Sequence, residues 1–348
     1  MSEAVDIFSQ QAANRRRSQW VVAAFVGFFA WLGFGGDYIA WLYTQGAPPG
    51  EYRHVFPFLG ILLTIVGMGM AAWGWKTAPR RILAAAGARE IVEPVTDEER
   101  VLVNCVDEMT IAAGLPRPRV WIVADEDPNA FATGHDERDA HVTVTSGLLT
   151  ACTRDELQAV VAHELGHLKN RDVQLMTLLA GLVGAVAIVA EVTGRMLRGG
   201  VRVGGSGRRA DDRDRGNAGP LAAVLVVVWL VSWLLAPLVT RLLATSVSRN
   251  REYLADTMSA QFTRNPTALA SALEKIGDAH APTRTVQQSF AHLCIADPLG
   301  RAVNSRQGWL ADLFATHPPM PLRVARLRAM GYQALKKSGS YVPPGIPA

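Results

Sequence analysis

Four long runs of the chain carry almost no charge, and they make the first division of the molecule. The first extends from Trp20 to Tyr43 and the second from about Val55 to Trp75. Each is close to the ~20 residues a helix needs to cross a bilayer, where the backbone must satisfy its own polar groups, so both are predicted to be transmembrane helices. A third run, Val173 to Val192, and a fourth, Leu221 to Leu243, have similar length. With Leu, Val and Ala on every face they read as spanning helices or as a partly inserted hairpin, the alternative being two buried helices of a soluble fold. Arg15, Arg16 and Arg17 precede the first run. That run is longer than the core of an export signal and no small-residue cleavage site follows it, so it is read as a retained anchor.

Outside these runs the periodicity changes. Val95 to Ala113 is amphipathic, with Thr96 and Glu99 at capping-box spacing and Gly114 then Pro116 as stop signals. Val120 to Val123, Asn129 to Thr133 and His141 to Thr145 have the composition of short strands, which predicts a small β-sheet. Thr153 and Glu156 repeat the capping-box spacing and open a helix. No proline interrupts it, so it is expected to continue through Lys169, Asn170, Arg171 and Asp172 into the third run. Arg195 to Gly219, rich in Gly, Arg and Asp, reads as a loop. Thr245 to Phe262 is predicted to be a helix, Asn265 and Pro266 to start another through Ile276, and a basic helix to end near Gly331.

A chain of 348 residues with 49% apolar residues can build a sizeable core. The net charge of +4 is small and partly accounted for by the flanks of the spans, so no nucleic-acid partner is expected. Three widely spaced cysteines suit neither a disulfide framework nor a cysteine metal site, which agrees with a reducing compartment. Arg15 to Arg17 before the first span, and Lys76, Arg80 and Arg81 after the second, place the segment from about Lys76 to Asp172 in the cytoplasm. The arginine-rich loop between the third and fourth runs opposes that rule if both runs span, and a shallow hairpin would relieve the conflict.

Candidate chemistry sits on two of the predicted helices. His163, Glu164, Leu165, Gly166 and His167 form HExxH, and residues four apart on a helix point the same way, so both imidazoles can reach one metal ion. Glu164 can hold and deprotonate a water there without being a ligand itself. Glu252 and Asp256 repeat the four-residue spacing: Glu252 is the candidate third ligand, and Asp256 the candidate acceptor for the free N–H of a ligating histidine. The plainer alternatives are an ordinary polar helix face and a solvated charge face with Arg249 and Arg251. Topology permits the convergence, because two apolar runs lie between the pairs and an even number of crossings returns the chain to the same side. Asn129, Ala130, Phe131 and Ala132 would offer an exposed strand edge to an extended substrate, or form an ordinary loop or interior strand. A membrane scaffold or transporter, and a metal hydrolase acting on a lipid or a prenylated peptide, are the competing readings.

Several motifs in order resemble a known family: NAFATG at Asn129 to Gly134, HELGH at His163 to His167, ExxAD at Glu252 to Asp256, Asn265 with Pro266, and FATHPP at Phe314 to Pro319 with Arg323 following. Together with the two early spans they are similar to the HtpX-type membrane zinc metallopeptidases, relatives of the CAAX prenyl-protein endopeptidases. The resemblance implies a mainly α membrane protein, with transmembrane helices plus a gluzincin-like zinc metalloprotease domain carrying a small β-sheet. Residues 1–80 would hold two transmembrane helices, and 81–348 the protease domain, interrupted by a membrane hairpin at about 173–243. It further implies one Zn2+ per subunit on His163, His167 and Glu252, Glu164 as general base, and His317 or Arg323 as donor to the oxyanion. The implied role is quality control: cleavage of misfolded or damaged membrane proteins by a multi-pass protein of the cell (inner) membrane, with its active site facing the cytoplasm.

Overall fold

The structure is a computed structural model, and it describes residues 7–46, 48–198, 227, 231, 249–279, 293–295 and 318–337. In chain order the described elements are α1 (Ile7–Thr44), α2 (Phe58–Ala85), β1 (Arg89–Glu90), α3 (Asp97–Ala113), β2 (Arg119–Val123), β3 (Ala130–Gly134), β4 (Ala140–Thr145), α4 (Ser146–Ala151), α5 (Arg154–Lys169) and α6 (Asp172–Arg198). After these come α7 (Arg249–Thr263), α8 (Pro266–Asp278) and α9 (Met320–Lys337). Contacts divide the chain into two units: Met1–Val21 with Thr77–Leu178 and Ala244–Ala348, and Val22–Lys76 with Leu179–Leu243.

The second unit holds most of the apolar length. Gln11–Tyr38 of α1 and all of α2 are long and apolar enough to cross a membrane. Trp31 on α1 and Leu62 and Ile65 on α2 are exposed, as side chains facing lipid would be. A side chain at Gly33 would meet the Gly60 Cα at 2.6 Å, so α1 and α2 touch backbone to backbone through small residues. Asp37, buried on α1, accepts the N–H groups of Leu59 (3.2 Å) and Gly60 (2.6 Å) in the first turn of α2 and pairs with His54 at 2.8 Å. The carboxylate therefore caps the second helix at its positive end.

The first unit is a sheet of order β1-β2-β4-β3 against helices. β2 and β4 are parallel, while β3 is antiparallel to β4 and lies at the sheet edge. One apolar core joins α3, α5, α8 and α9 to the sheet through residues such as Leu102, Val142, Val160, Leu165, Leu273 and Leu327. The caps fall where the spacing puts them: Thr96 caps α3, Gly114 ends it in the left-handed conformation, Thr153 and Glu156 form a reciprocal capping box on α5, and Asn265 caps α8.

Several expectations need correction. α5 does not run on into the third apolar run: it ends at Lys169, Asn170 caps it, Arg171 adopts φ 60°, and α6 starts at Asp172. The basic helix does not stop near Gly331 but extends to Lys337, and α6 continues past Arg195 to Arg198. The strand expected at Asn129 to Thr133 is shifted by one residue, and β1 was not anticipated, two residues being too few to show a pattern. Of the fourth run only Val227 and Val231 are described, both helical.

Candidate metal centre

α5 and α7 cross at close range, and a glycine permits it. A Cβ at Gly166 would lie 3.3 Å from the Ala255 Cα and 3.4 Å from the Met258 Cβ, so the third residue after His163 has to be small for the helices to meet. Nearby, Ser259 Oγ donates to the Ala159 carbonyl at 2.7 Å. This approach sets Glu252, in the first turn of α7, opposite the histidines. His163 Nε2 and His167 Nε2 are 3.1 Å apart, His167 Nε2 lies 3.4 Å from Glu252 Oε1, and His163 Nε2 lies 3.8 Å from Glu252 Oε2. Four-coordinate zinc with bonds of about 2.0–2.1 Å has ligand–ligand edges of about 3.3–3.4 Å, so the three groups are spaced as such a site needs.

The outer nitrogens decide which way the lone pairs face. Asp256 Oδ1 lies 3.0 Å from His163 Nδ1, and Asp172 Oδ2 lies 3.2 Å from His167 Nδ1. Asp172 takes the His167 Nδ1–H and Asp256 stands against His163 Nδ1, an arrangement that turns both Nε2 atoms toward Glu252. Asp172 reaches His167 only because the helix is broken between them. On a continuous α-helix residues five apart are about 140° apart around the axis and cannot pair. The left-handed Arg171, at a cost of about 1–2 kcal/mol, swings Asp172 back over the last turn of α5.

Arg323 enters from α9 and is fully buried. It holds Asp256 in a bidentate pair, Nε to Oδ2 at 2.9 Å and Nη2 to Oδ1 at 2.6 Å. Its Nη1 lies 3.3 Å from Glu252 Oε2 and 3.3 Å from the Ile295 carbonyl. Around the pocket Glu164, Glu252, Asp256 and Asp172 are all buried, against the buried guanidiniums of Arg323 and Arg251. With neutral histidines, four carboxylates against two guanidiniums leave two negative charges, the balance a divalent cation restores.

The titration behaviour of the metal-free chain agrees. Burial pushes the Glu164 carboxyl up to about 7, helped by Glu252. Burial pulls the His163 imidazole down to about 4. Burial also acts to lower His167, but the carboxylates of Glu252, Asp172 and Glu164 outweigh it and raise the group to about 9. Asp256 would be raised by burial, yet Arg323 and His163 hold it at about 2. Glu164 Oε1 is buried without a hydrogen-bond partner among the described residues, and Glu164 lines one pocket with His167 and Glu252. An orphaned carboxylate oxygen there fits a water held next to a metal.

His163, His167 and Glu252 are the group among the described residues whose ligand atoms all lie within 4.8 Å of one another. The family model described as Peptidase family M48 matches residues 97–331. The chain is 36% identical over 325 residues to "Protease HtpX homolog" of Thermoanaerobacter pseudethanolicus, spanning 93% of this chain and 98% of that protein. The chain belongs to peptidase family M48, among the HtpX-type proteases. A Streptococcus gordonii relative of the same description is 35% identical, over 93% of this chain and 100% of the relative, and one from Tropheryma whipplei is 40% identical over 288 residues. The crystal structure of S. mikatae Ste24p matches with a TM-score of 0.44 at 16% identity, over 88% of this chain and 66% of that one, too loosely to bear on the arrangement here. Membership makes the protein a membrane-associated metallopeptidase.

Within this M48 chain the structure brings His163, Glu164, His167, Glu252, Asp256 and Arg323 into one place, whereas His317 lies outside the described residues. Arg323, expected as an oxyanion donor, is engaged with Asp256, Glu252 and Ile295. Ala130 to Ala132 do stand on the edge strand, but the outer edge already has occupants. Ile295 N–H donates to the Ala130 carbonyl at 2.9 Å, Phe131 bridges Cys294, and Gly134 N–H donates to Thr177 at 3.2 Å. Asn129 is buried and engaged with Thr145, its N–H donating to the Thr145 hydroxyl at 2.9 Å. Sequence reasoning missed Asp172. No local signal sets it apart: Asn170 and Asp172 are residues that favour helix ends, but no proline or glycine marks a break between them.

Proposed function

We propose that the protein is a zinc-dependent endopeptidase that cuts misfolded or damaged membrane proteins at the cytoplasmic face of the cell (inner) membrane. The observation that carries this reading is the convergence of His163, His167 and Glu252 beside the unpartnered Glu164 oxygen. The protease named in the relatives' descriptions supports the reaction class. The arginines before α1's apolar stretch, and Lys76, Arg80 and Arg81 on α2, support the cytoplasmic side.

His163, His167 and Glu252 would hold the zinc, and the donor set of two imidazoles and one carboxylate suits a catalytic site with an open fourth position. Bound zinc would polarise the scissile carbonyl and make a water acidic near neutral pH. Glu164, with a carboxyl near neutrality and one free oxygen, takes the proton of the attacking water and passes it to the leaving amine. Asp256 and Asp172 keep the histidines turned inward. Arg323 holds Asp256 and Glu252 in place and balances their charge. His317 and Arg323 are the candidate oxyanion donors. An extended substrate lies along the outer edge of β3 at Ala130 to Ala132, which requires the Leu293–Ile295 segment to give way.

The test is proteolysis of casein by full-length protein in detergent. Wild type cleaves, a chelator stops it and zinc restores it, while Glu164→Gln binds zinc and does not cleave. Cleavage that survives in Glu164→Gln, or wild type that holds zinc and leaves peptide bonds intact while hydrolysing lipid, would overturn the reading. In the same assay His317→Ala lowers turnover with zinc content unchanged.

A further inference from the structure

The first turns of α1 reach the junction between α5 and α6. Asn14 sits there 1% exposed, next to three arginines in sequence. Its amide nitrogen donates to the Asn170 carbonyl at 2.9 Å and to Asp172 Oδ1 at 2.7 Å. Both donors are used, and they fix the amide's orientation, because turning it over would set its oxygen against two acceptors. The two acceptors stand on either side of the left-handed Arg171. One side chain thus pins both ends of the turn that carries Asp172 back to His167.

We propose that Asn14 is a positioning residue for the metal centre: it holds one oxygen of Asp172 so that the other takes the His167 Nδ1–H and leaves Nε2 facing the metal. This rests on the reading of His167 as a ligand. Arg251, 3.6 Å from the same Oδ1, is a second and looser support. Packing alone does not explain an asparagine at this position. It is a poor residue for a helix interior, and its amide oxygen is buried without a hydrogen-bond partner among the described residues. An apolar side chain would fill the space without that orphan acceptor but could not hold Asp172. Further along α1 begins the charge-poor run that starts at Trp20, so the helix read as entering the membrane takes part in orienting a catalytic ligand.

Zinc affinity of the full-length protein in detergent, measured by competition with a chelating dye, tests this apart from proteolysis. Outer partners of metal ligands typically contribute 10–100-fold in affinity, so Asn14→Leu is expected to weaken zinc binding about tenfold. Asp172→Asn weakens it at least as much, and adding Asn14→Leu to Asp172→Asn weakens it no further, since the first residue acts through the second. Gln11→Ala removes a neighbouring bond from α1, to the Lys169 carbonyl at 2.6 Å, without touching Asp172, and leaves zinc affinity unchanged. Should Asn14→Leu fail to fold, Asn14→Ser, too short to bridge both acceptors, carries the same expectation. Wild-type affinity in the Asn14 variants, or an equal loss in Gln11→Ala, overturns the proposal while leaving the metal centre standing. Wild-type affinity in His167→Ala removes the ligand reading, and this proposal with it.

Discussion

Glu156 shows how much one side chain can be asked to do. Its carboxylate closes the capping box on the Thr153 N–H at 2.7 Å, takes the Lys275 ammonium at 2.7 Å and accepts the Ser271 hydroxyl at 2.5 Å, tying the start of the histidine helix to α8. Burial alone would raise its pKa, but Lys275, Ser271 and the Thr153 N–H together bring it below the ordinary 4.5. A carboxyl depressed in the folded state contributes stability above its unfolded value, and that contribution is lost as pH falls through the folded value. The thermal midpoint of metal-free wild type should therefore drop more steeply between pH 5.5 and pH 3.5 than that of Glu156→Gln. Parallel pH profiles, or a steeper fall in the variant, would contradict this. The cap was legible from Thr153 and Glu156 alone, because its two residues are three apart. Lys275 and Ser271 were not, because they arrive from more than a hundred positions away.

Among elements, the crossing of α5 and α7 governs the site. Gly166 lies within the HExxH motif, where the sequence pattern accepts any residue, yet the Ala255 backbone 3.3 Å from its Cβ position does not. Gly166→Leu should push α7 away and take Glu252 with it. The expected result is a loss of zinc affinity of tenfold or more in a protein that keeps its helical circular dichroism, and wild-type affinity would show that the close crossing is not what brings Glu252 in. The β3 edge makes a second prediction. Phe131 and Cys294 are bridge partners, so Phe131→Cys places two thiols directly opposite each other. Oxidation should lock the Leu293–Ile295 segment and stop proteolysis, and reductant should restore it; full activity of the locked protein would move the substrate to another edge. The contrast in legibility is physical. Strand composition announced β3, and nothing local could announce that a segment from beyond position 290 covers it. Asp172 was hidden for a related reason: without proline or glycine, Asn170-Arg171-Asp172 looks like continuous helix, and the left-handed Arg171 is stabilised by contacts from elsewhere in the chain.

At the scale of the whole molecule, four charge-poor runs and two four-residue spacings were enough to point to a membrane-associated metallopeptidase, because helix length and helix periodicity are local rules. The ligand geometry is different in kind. It depends on α5, α7 and α9 meeting around one pocket, with Arg323 and Asp256 fixing distances that no spacing encodes. The central claim is that two imidazoles from α5 and one carboxylate from α7 bind a single zinc. Zinc X-ray absorption on the metal-loaded full-length Glu164→Gln protein addresses it most directly. The expected spectrum has one zinc per chain, two imidazoles and otherwise oxygen at about 2.0–2.1 Å, with one imidazole lost in His167→Ala. A sulfur neighbour at about 2.3 Å, as from Cys294 in the pocket wall, or a spectrum unchanged in His167→Ala, would contradict it.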